Sequence, residues 1–326
     1  MKKILLAVTA ALAITGCSQN EEIEKAGEKA EINFGTIVSK TTRAAVTNID
    51  SLQKSGFTVY AYNTGETEMK SVVAKGLGTP FMNGAIATYT TKWDLTGGPY
   101  YWPFNGNVQF FAHATDASSK YELNDSDIYP TITYTINDDA SKQKDFVVAQ
   151  LYNQKKTEND VKLSFLHALT QVNFSAKGSN NNLKYTISSI SIEGVANTGT
   201  YSFADSTWSV TGKAGIYTYP IADNAPVSGT TISDLDQAKG ALMLMPQAMT
   251  TDSKIKISYN VYNATDVKID AVTDAVISLN NTAAWGVGKK VRYTLTLSSE
   301  GATISFAPEV GNWSTSDDTP VAPPAE

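Results

Sequence analysis

The side chains in this sequence that could carry chemistry are two histidines, one cysteine and scattered carboxylates. His167 lies between the apolar Phe165 and Leu169, and no recognisable motif pairs it with a nucleophile. His113 follows Phe111 in the same manner. We therefore expect both histidines to be packed, hydrogen-bonded strand residues rather than catalytic bases.

The acidic pairs Asp125 with Asp127 and Asp138 with Asp139 could bind calcium or flank a glycosidic bond. A calcium loop needs more ligands and a glycine at a defined position, so solvated turn residues are the better interpretation. One cysteine and two histidines are too few for a zinc or iron centre of the usual kind. The sequence therefore predicts no metal, no cofactor and no enzymatic activity.

Four aromatic residues, Trp93, Tyr100, Tyr101 and Trp102, lie beside the glycines at 97 and 98. On an exposed loop these rings could stack on sugars, whereas in the interior they would anchor one sheet on another. Both alternatives are open from the sequence, and burial is favoured.

The first 16 residues are typical of a secretory signal. Lys2 and Lys3 supply the positive start, and Ile4 to Ile14 form an apolar run too short to span a bilayer. Residues 18–30 are rich in Glu, Lys, Ala and Gly, which favours a flexible tether after the signal.

Cys17, the single cysteine, follows Ile14, Thr15 and Gly16 in a pattern that resembles the bacterial lipobox. In that motif the bond before the cysteine is cut and the thiol receives diacylglycerol. Two or three acyl chains hold a protein stably on a membrane. We therefore expect lipid on Cys17 and attachment of a soluble body to the outer membrane.

Composition favours strands and argues against nucleic acid as a partner. The net charge is -6, and the sequence shows no basic cluster beyond the two lysines of the signal. The basic surface expected of a nucleic-acid binder is therefore missing. Charged residues make up only 18% of the chain, while tyrosine and threonine are prominent, which suits strands better than solvated helices.

From residue 31 onward the dominant signal is an apolar alternation with a period of two. Ile32, Phe34, Thr36 and Val38 fall on one side of the first predicted strand. Further strands are predicted over 57–62, 108–113, 131–136, 145–151, 161–176, 183–195, 199–203, 241–245, 254–262, 276–279, 291–297 and 303–310. No convincing helix is predicted, although residues 232–240 could form one or two turns.

Several segments, in this order, resemble the fimbrillin family, the subunits of type V pili. They are Tyr101-Trp102-Pro103 with the strand at 108–112, the segment 161–168 whose strand ends at His167, Leu242-Met243-Leu244-Met245-Pro246-Gln247, the strand 293–297 after Trp285-Gly286 and Gly288-Lys289, and Trp313 at the close of the last strand. The resemblance implies an all-β protein with two transthyretin-like antiparallel β-sandwich domains. The polar stretch 153–160 is the expected domain junction.

The domain boundaries that follow are a signal peptide over 1–16, a lipidated tether with a removable first strand over 17–43, β-sandwiches over 44–158 and 159–313, and a disordered tail over 314–326. The resemblance also implies a cut between Arg43 and Ala44 by an arginine-specific protease. Loss of the first strand, with Ile32, Phe34, Thr36 and Val38, would bare a groove and unpaired backbone groups.

In the family's scheme a strand of a neighbouring fimbrial subunit fills this groove. Ile304, Phe306 and Val310 alternate near the C-terminus and form the candidate donor strand, although Pro308 lacks an amide proton. The expected partners are other fimbrial subunits and a host or glycan ligand, and the expected location is the fimbrium at the cell surface. The alternative function is a glycan-binding surface protein that stays attached through Cys17.

The lipobox-like motif predicts that Cys17→Ala blocks surface delivery, because the variant has no thiol to receive lipid. Labelling of intact cells with an antibody, beside fractionation of the whole-cell pool, measures this. A Cys17→Ala variant displayed at the wild-type level would contradict the lipoprotein route.

Overall fold

A computed structural model describes residues 29–38, 49–222, 224–235, 240–304 and 309–312. One seven-residue helix, α1 (Ile49–Ser55), and two short 3-10 turns, Met69–Ser71 and Ala140–Lys142, occur in this part of the chain. The first nine strands are β1 (Phe34–Val38), β2 (Phe57–Asn63), β3 (Met82–Tyr89), β4 (Trp93–Leu95), β5 (Val108–Ala114), β6 (Ser119–Glu122), β7 (Thr131–Thr135), β8 (Val147–Gln154) and β9 (Val161–His167).

Thirteen further strands follow in the described residues. They are β10 (Thr170–Gly178), β11 (Leu183–Ala196), β12 (Thr198–Ser202), β13 (Thr207–Val210), β14 (Ala214–Thr218), β15 (Ala225–Ser228), β16 (Ser233–Asp234), β17 (Leu242–Leu244), β18 (Lys254–Asn263), β19 (Lys268–Ser278), β20 (Lys289–Ser298), β21 (Gly301–Ile304) and β22 (Glu309–Asn312).

These strands form four sheets. The seven-stranded sheet has the order β1-β9-β8-β5-β2-β3-β4, and the four-stranded sheet has the order β13-β12-β7-β6. The six-stranded sheet contains β16, β10, β20 and β21 in line, with β17 paired to β10 and β22 paired to β20. The five-stranded sheet has β14, β11, β18 and β19 in line, with β15 paired to β11. Most pairs are antiparallel, but β1 with β9 and β10 with β20 are parallel.

The four-stranded sheet packs on one face of the seven-stranded sheet through aromatic contacts. The ring centroids of Phe111 and Phe203 are 5.2 Å apart, and those of Tyr134 and Phe146 are 4.3 Å apart. The six- and five-stranded sheets pack in the same way, for example through Phe174 against Tyr219, the residue that follows β14. Each pair of sheets thus encloses apolar side chains between two layers.

β5 is the central strand of the seven-stranded sheet, and all seven of its residues are buried. Alternation places Phe110 on the face that β1 covers and Phe111 on the face that the four-stranded sheet covers. A strand buried on both faces has a nearly continuous apolar sequence, as Val-Gln-Phe-Phe-Ala-His-Ala does.

The all-β class predicted from the sequence is confirmed, because strands account for most of the described chain. The predicted junction at 158/159 falls between β8 and β9, which pair through Val147 with His167 and Val148 with Leu166. The four-stranded sheet also joins strands from before and after this point. The two sheet pairs therefore do not separate at residue 158.

Candidate functional site

β1 is an edge strand of the seven-stranded sheet and pairs in parallel with β9 over its whole length. Phe34 lies opposite Val161, and Val38 lies opposite Phe165. The amide of Val161 donates to the carbonyl of Asn33 at 2.8 Å, just before β1 begins. The first predicted strand is therefore part of the sheet, and among the described strands it pairs with β9 alone.

The residues that precede β1 are held by a second segment of the chain. The amide of Ile32 donates to the carbonyl of Tyr100 at 2.8 Å, and the amide of Trp102 donates to the carbonyl of Ala30 at 2.9 Å. The backbone from residue 30 to residue 38 is thus bound first to the segment 100–102 and then to β9.

The side chains of this strand fill an aromatic depression. The Phe34 ring meets the rings of Phe57 and Phe110 edge to face, with centroids 5.7 and 5.8 Å apart. Phe57 also contacts Phe165 and Trp93, at 5.3 and 4.8 Å. We name the surface formed by Phe57, Trp93, Phe110 and residues 161–165 of β9 the β1 groove.

β1 also contacts the opposite edge of its own sheet. The indole N–H of Trp93, in the edge strand β4, donates to the hydroxyl of Thr36 at 3.2 Å. The seven-stranded sheet therefore curls enough for the Trp93 side chain of its last strand, β4, to reach its first strand, β1. Removal of β1 would therefore open the β1 groove.

The burial of the side chains from Ile32 to Thr36 indicates how much apolar surface the removal of β1 would expose. Ile32 and Phe34 are 1% and 5% exposed, and Thr36 is half-buried. Each fully buried Ile or Phe side chain contributes about 1.5–3 kcal/mol through removal of apolar area from water. The side chain of Val38 lies outside the described residues, although its backbone belongs to β1. A bare β1 groove would thus combine apolar surface with the unpaired backbone groups of β9.

The two described ends of the candidate donor segment lie in the six-stranded sheet of their own chain. Ile304, in β21, is opposite Leu295 of β20, and Val310, in β22, is opposite Val291. Ile304 is half-buried and Val310 is 45% exposed. Phe306 lies outside the described residues, as do Cys17, Arg43 and Ala44.

The aromatic group near residue 100 divides between interior and surface. Trp93 and Trp102 are buried, and the Trp102 ring packs edge to face on Phe110 at 6.0 Å. Tyr100 is half-buried, while Tyr101 is 41% exposed and lies beneath the ammonium of Lys29, 5.6 Å from the ring centroid. The two tryptophans therefore anchor the sheet, as favoured from the sequence, and do not present their faces for sugar stacking.

Both histidines are packed strand residues, as predicted. His167 is buried at the end of β9, where its Nδ1 lies 2.6 Å from Oδ2 of the buried Asp145. His113 lies 2.9 Å from the carbonyl of Ala114 through its Nδ1. Burial lowers the pKa of His113, which favours its neutral ring.

The described residues offer little else for chemistry. Within them, no three side chains of His, Cys, Asp or Glu come together as a metal site would require. The helices in the same part of the chain are all too short or too polar to cross a membrane. The β1 groove is thus the feature with the clearest functional consequence.

A model of the family described as fimbrillin-like matches residues 42–313. The chain belongs to the fimbrillin-like family. Its relatives include the fimbrium subunit Fim1C of Phocaeicola vulgatus, which is 26% identical over an alignment of 377 positions that covers 98% of each chain. The resemblance noted in the sequence is thereby confirmed.

Solved structures show the same fold. A fimbrial protein from Bacteroides vulgatus superposes with a TM-score of 0.68 at 20% identity, over 88% of this chain and 100% of that one. A protein from Bacteroides uniformis assigned to cell adhesion has a TM-score of 0.51 at 15% identity, over 87% and 98%. The fimbrillin-like family consists of structural fimbrial and adhesin subunits, so the expectation that the chain is not an enzyme is also confirmed.

Sequence reasoning missed the partners that hold β1 in this fimbrillin-like chain. Trp93 was considered for sugar stacking, yet its indole N–H donates a hydrogen bond to the hydroxyl of Thr36. The segment 100–102 forms backbone hydrogen bonds with the residues before β1. The signal that could have found them is the Gly-Gly-Pro turn directly before Tyr100, which brings this segment back towards the sheet.

The packing of Phe34 predicts that Phe34→Ala lowers the free energy of unfolding by about 3 kcal/mol, since it empties a buried aromatic site. Denaturant unfolding of the uncut chain measures this, and hydrogen exchange over residues 32–38 should rise with it. Asn33→Ala is the control, because it keeps the carbonyl that accepts from Val161. Equal stability of the Phe34 and Asn33 variants would contradict the described packing.

The buried pair of Asp145 and His167 predicts that Asp145→Asn costs about 1–3 kcal/mol of stability, because a buried charge-assisted hydrogen bond is weakened. Asp125→Asn is the matched control, since the Asp125 pair with Lys75 is well exposed and should matter little. Thermal unfolding of both variants decides the comparison. Similar melting temperatures for the two would argue against a structural role for the buried pair.

Proposed function

We propose that the chain is a fimbrial subunit that is exported as a lipoprotein through Cys17, cut after Arg43 and assembled by donor-strand exchange. The family and its fimbrium-subunit relative establish the coarser statement of a cell-surface fimbrial subunit. Lipidation, cleavage and exchange are the steps that the proposal adds. In these steps a strand of a neighbouring subunit replaces β1.

The position of β1 is the observation that carries this proposal. β1 is an edge strand, so its departure breaks pairing with β9 alone and leaves the other six strands of the sheet in place. It also covers the aromatic rings of the β1 groove, which a replacement strand would cover in turn. Main-chain hydrogen bonds would supply affinity, and alternate side chains would supply register.

The place of Arg43 in the sequence supports the cleavage step. β1 ends at Val38 and α1 begins at Ile49, so a cut after Arg43 falls between these two described elements and separates β1 from α1. The chain has one other arginine, Arg292, which lies within β20 between two paired strands. Of the two arginines, Arg292 is thus held between paired strands, which disfavours cleavage there.

Assembly by strand replacement would give an open-ended filament. The groove of one subunit and the donating strand of the next are different surfaces, so the contact is heterologous and does not close on itself. The glycan-binding alternative has weaker support, because Trp93 and Trp102 are buried. We therefore propose the filament as the product and adhesion as its role.

The decisive experiment treats the purified precursor with an arginine-specific protease and follows both its N-terminus and its mass. We expect a folded product that begins at Ala44 and then forms filaments visible by electron microscopy. Arg43→Lys should leave the chain uncut and monomeric under the same treatment. A product that begins at Ala44, keeps its fold and stays monomeric would overturn the exchange step.

A further inference from the structure

A small cleft lies where the residues before β1 meet β4 and the turn that follows it. Its volume is about 220 Å³, and its walls are residues 31–33, residues 92–95 and residues 98–100. We name this cleft the seam cleft. Two of its three walls stay in the body after the proposed cut, whereas residues 31–33 leave together with β1.

Hydrogen bonds hold the walls of the seam cleft together. The amide of Ile32 donates to the carbonyl of Tyr100 at 2.8 Å, which joins the residues before β1 to the wall 98–100. The indole N–H of Trp93 donates to the hydroxyl of Thr36 at 3.2 Å, which joins β1 to β4. The cleft is therefore preformed while β1 is in place, and it loses one wall when β1 departs.

Four polar side chains, Glu31, Asn33, Lys92 and Asp94, line the seam cleft. They supply carboxylate acceptors, an amide that both donates and accepts, and an ammonium donor. A sugar needs donors and acceptors side by side, because each of its hydroxyls does both. Two carboxylates and one ammonium leave one net negative charge, which disfavours phosphates and acidic sugars.

The carboxylate of Asp94 has a fixed orientation at the wall that β4 supplies. The hydroxyl of Thr90 donates to its Oδ2 at 3.1 Å. An ionised carboxylate has about four acceptor positions, so this hydrogen bond leaves capacity for the hydroxyls of a ligand. Asp94 itself is exposed at the cleft and is within reach of a molecule from solvent.

The rest of the lining is apolar and suits the C–H face of a sugar ring. Ile32 and Trp93 are buried, while Leu95 and Tyr100 are half-buried. The hydroxyl of Tyr100 donates to the carbonyl of Thr96 at 3.1 Å, which fixes the orientation of the ring. Because Trp93 is buried, Tyr100 is the ring that offers a flat surface for stacking.

We propose that the seam cleft binds one neutral sugar unit and that the bound sugar holds β1 in its groove. This inference rests on the proposed departure of β1 and adds a ligand that opposes it. The cleft is smaller than the sites of drug-sized ligands, which begin at about 300 Å³, so it suits a single ring.

The coupling between the sugar and β1 follows from the composition of the walls. A sugar that contacts Glu31 or Asn33 together with Asp94 binds in this way only while β1 is in place. A ligand that binds one of two states favours that state by the factor 1 + [L]/Kd. At a free sugar concentration of about ten times Kd, the departure of β1 therefore becomes about 11-fold less favourable.

Saturation-transfer NMR on the purified precursor tests binding with defined sugars. The panel consists of galactose, glucose, mannose, fucose, N-acetylglucosamine and N-acetylgalactosamine, with N-acetylneuraminic acid as the acidic comparison. We expect at least one neutral sugar to bind, and the acidic sugar to bind several-fold more weakly. A chain that binds none of the neutral sugars, or that prefers the acidic one, would overturn the inference.

Two substitutions on opposite walls locate the site. Asp94→Asn and Glu31→Gln each remove one carboxylate and keep the size of the side chain, and we expect each to weaken binding about tenfold. Asp125→Asn is the matched control, because Asp125 is exposed and does not line the cleft. A sugar that binds both cleft variants as tightly as the wild type would lie elsewhere and would overturn the proposed site.

Hydrogen exchange over residues 32–38 of the uncut chain measures the hold on β1. With the bound sugar at about ten times its Kd, we expect exchange there to slow about 11-fold. In Asp94→Asn at the same sugar concentration we expect only about a twofold effect, since the Kd is tenfold higher. Exchange at the same rate with and without bound sugar would overturn the coupling to β1.

These measurements fail or succeed independently of cleavage and assembly. If cut chains form filaments while no neutral sugar binds, the inference fails and the proposed function stands. If a sugar binds at the cleft and slows exchange, but the treated chain is not cut or forms no filaments, the proposed function fails and the sugar site stands.

Discussion

The pairing of β1 with β9 completes the seven-stranded sheet, and the proposed assembly depends on this one interaction. The seven-stranded sheet curls so that Trp93 of its last strand reaches Thr36 of β1, and β1 in turn pairs with β9. That strand must satisfy the backbone of β9 on one side and place apolar side chains at alternate positions on the other. Any segment with these two properties can close the sheet, which makes closure possible from within the chain or from outside it.

Cleavage after Arg43 would leave the contacts of β1 as they are. It would nevertheless make β1 easier to lose from the groove, because β1 would no longer be joined to the rest of the chain. While the chain is intact, β1 is tethered by the residues that lead to α1, and its effective concentration at the groove is of the order of millimolar. After the cut, β1 competes as a separate peptide and can be lost by dilution. A five-residue parallel edge strand has few hydrogen bonds with which to resist this.

The sequence predicted the parts of this site that depend on local alternation. Ile32 and Phe34 were assigned to one face, and β5, β9 and β20 were located, because period two and apolar content are properties of each segment alone. The strands β3, β4 and β6 were missed, since Gly84 interrupts the first and the other two span only four residues or fewer. Short strands carry too few alternations to be recognised.

Several features depend on which strands meet, and alternation does not encode this. The parallel direction of β1 against β9, the curl that brings Trp93 to Thr36, and the pairing of β8 with β9 across the predicted junction are all non-local. The seven-residue helix α1 is also below the length at which a helical stripe is distinct. The prediction covered only the end of β19. Two irregularities in its pairing with β18 break the alternation by which the earlier part could have been recognised.

In the proposed assembly, β21 and a groove in another subunit differ in what they ask of a strand. Within its own chain, β21 is joined to β20 through the short link between residues 298 and 301, so its pairing costs little closure entropy. A β1 groove would accept a strand from another subunit only when β1 has left it. In the intact chain β1 occupies that groove, so the proposed cleavage would be the step that makes exchange possible.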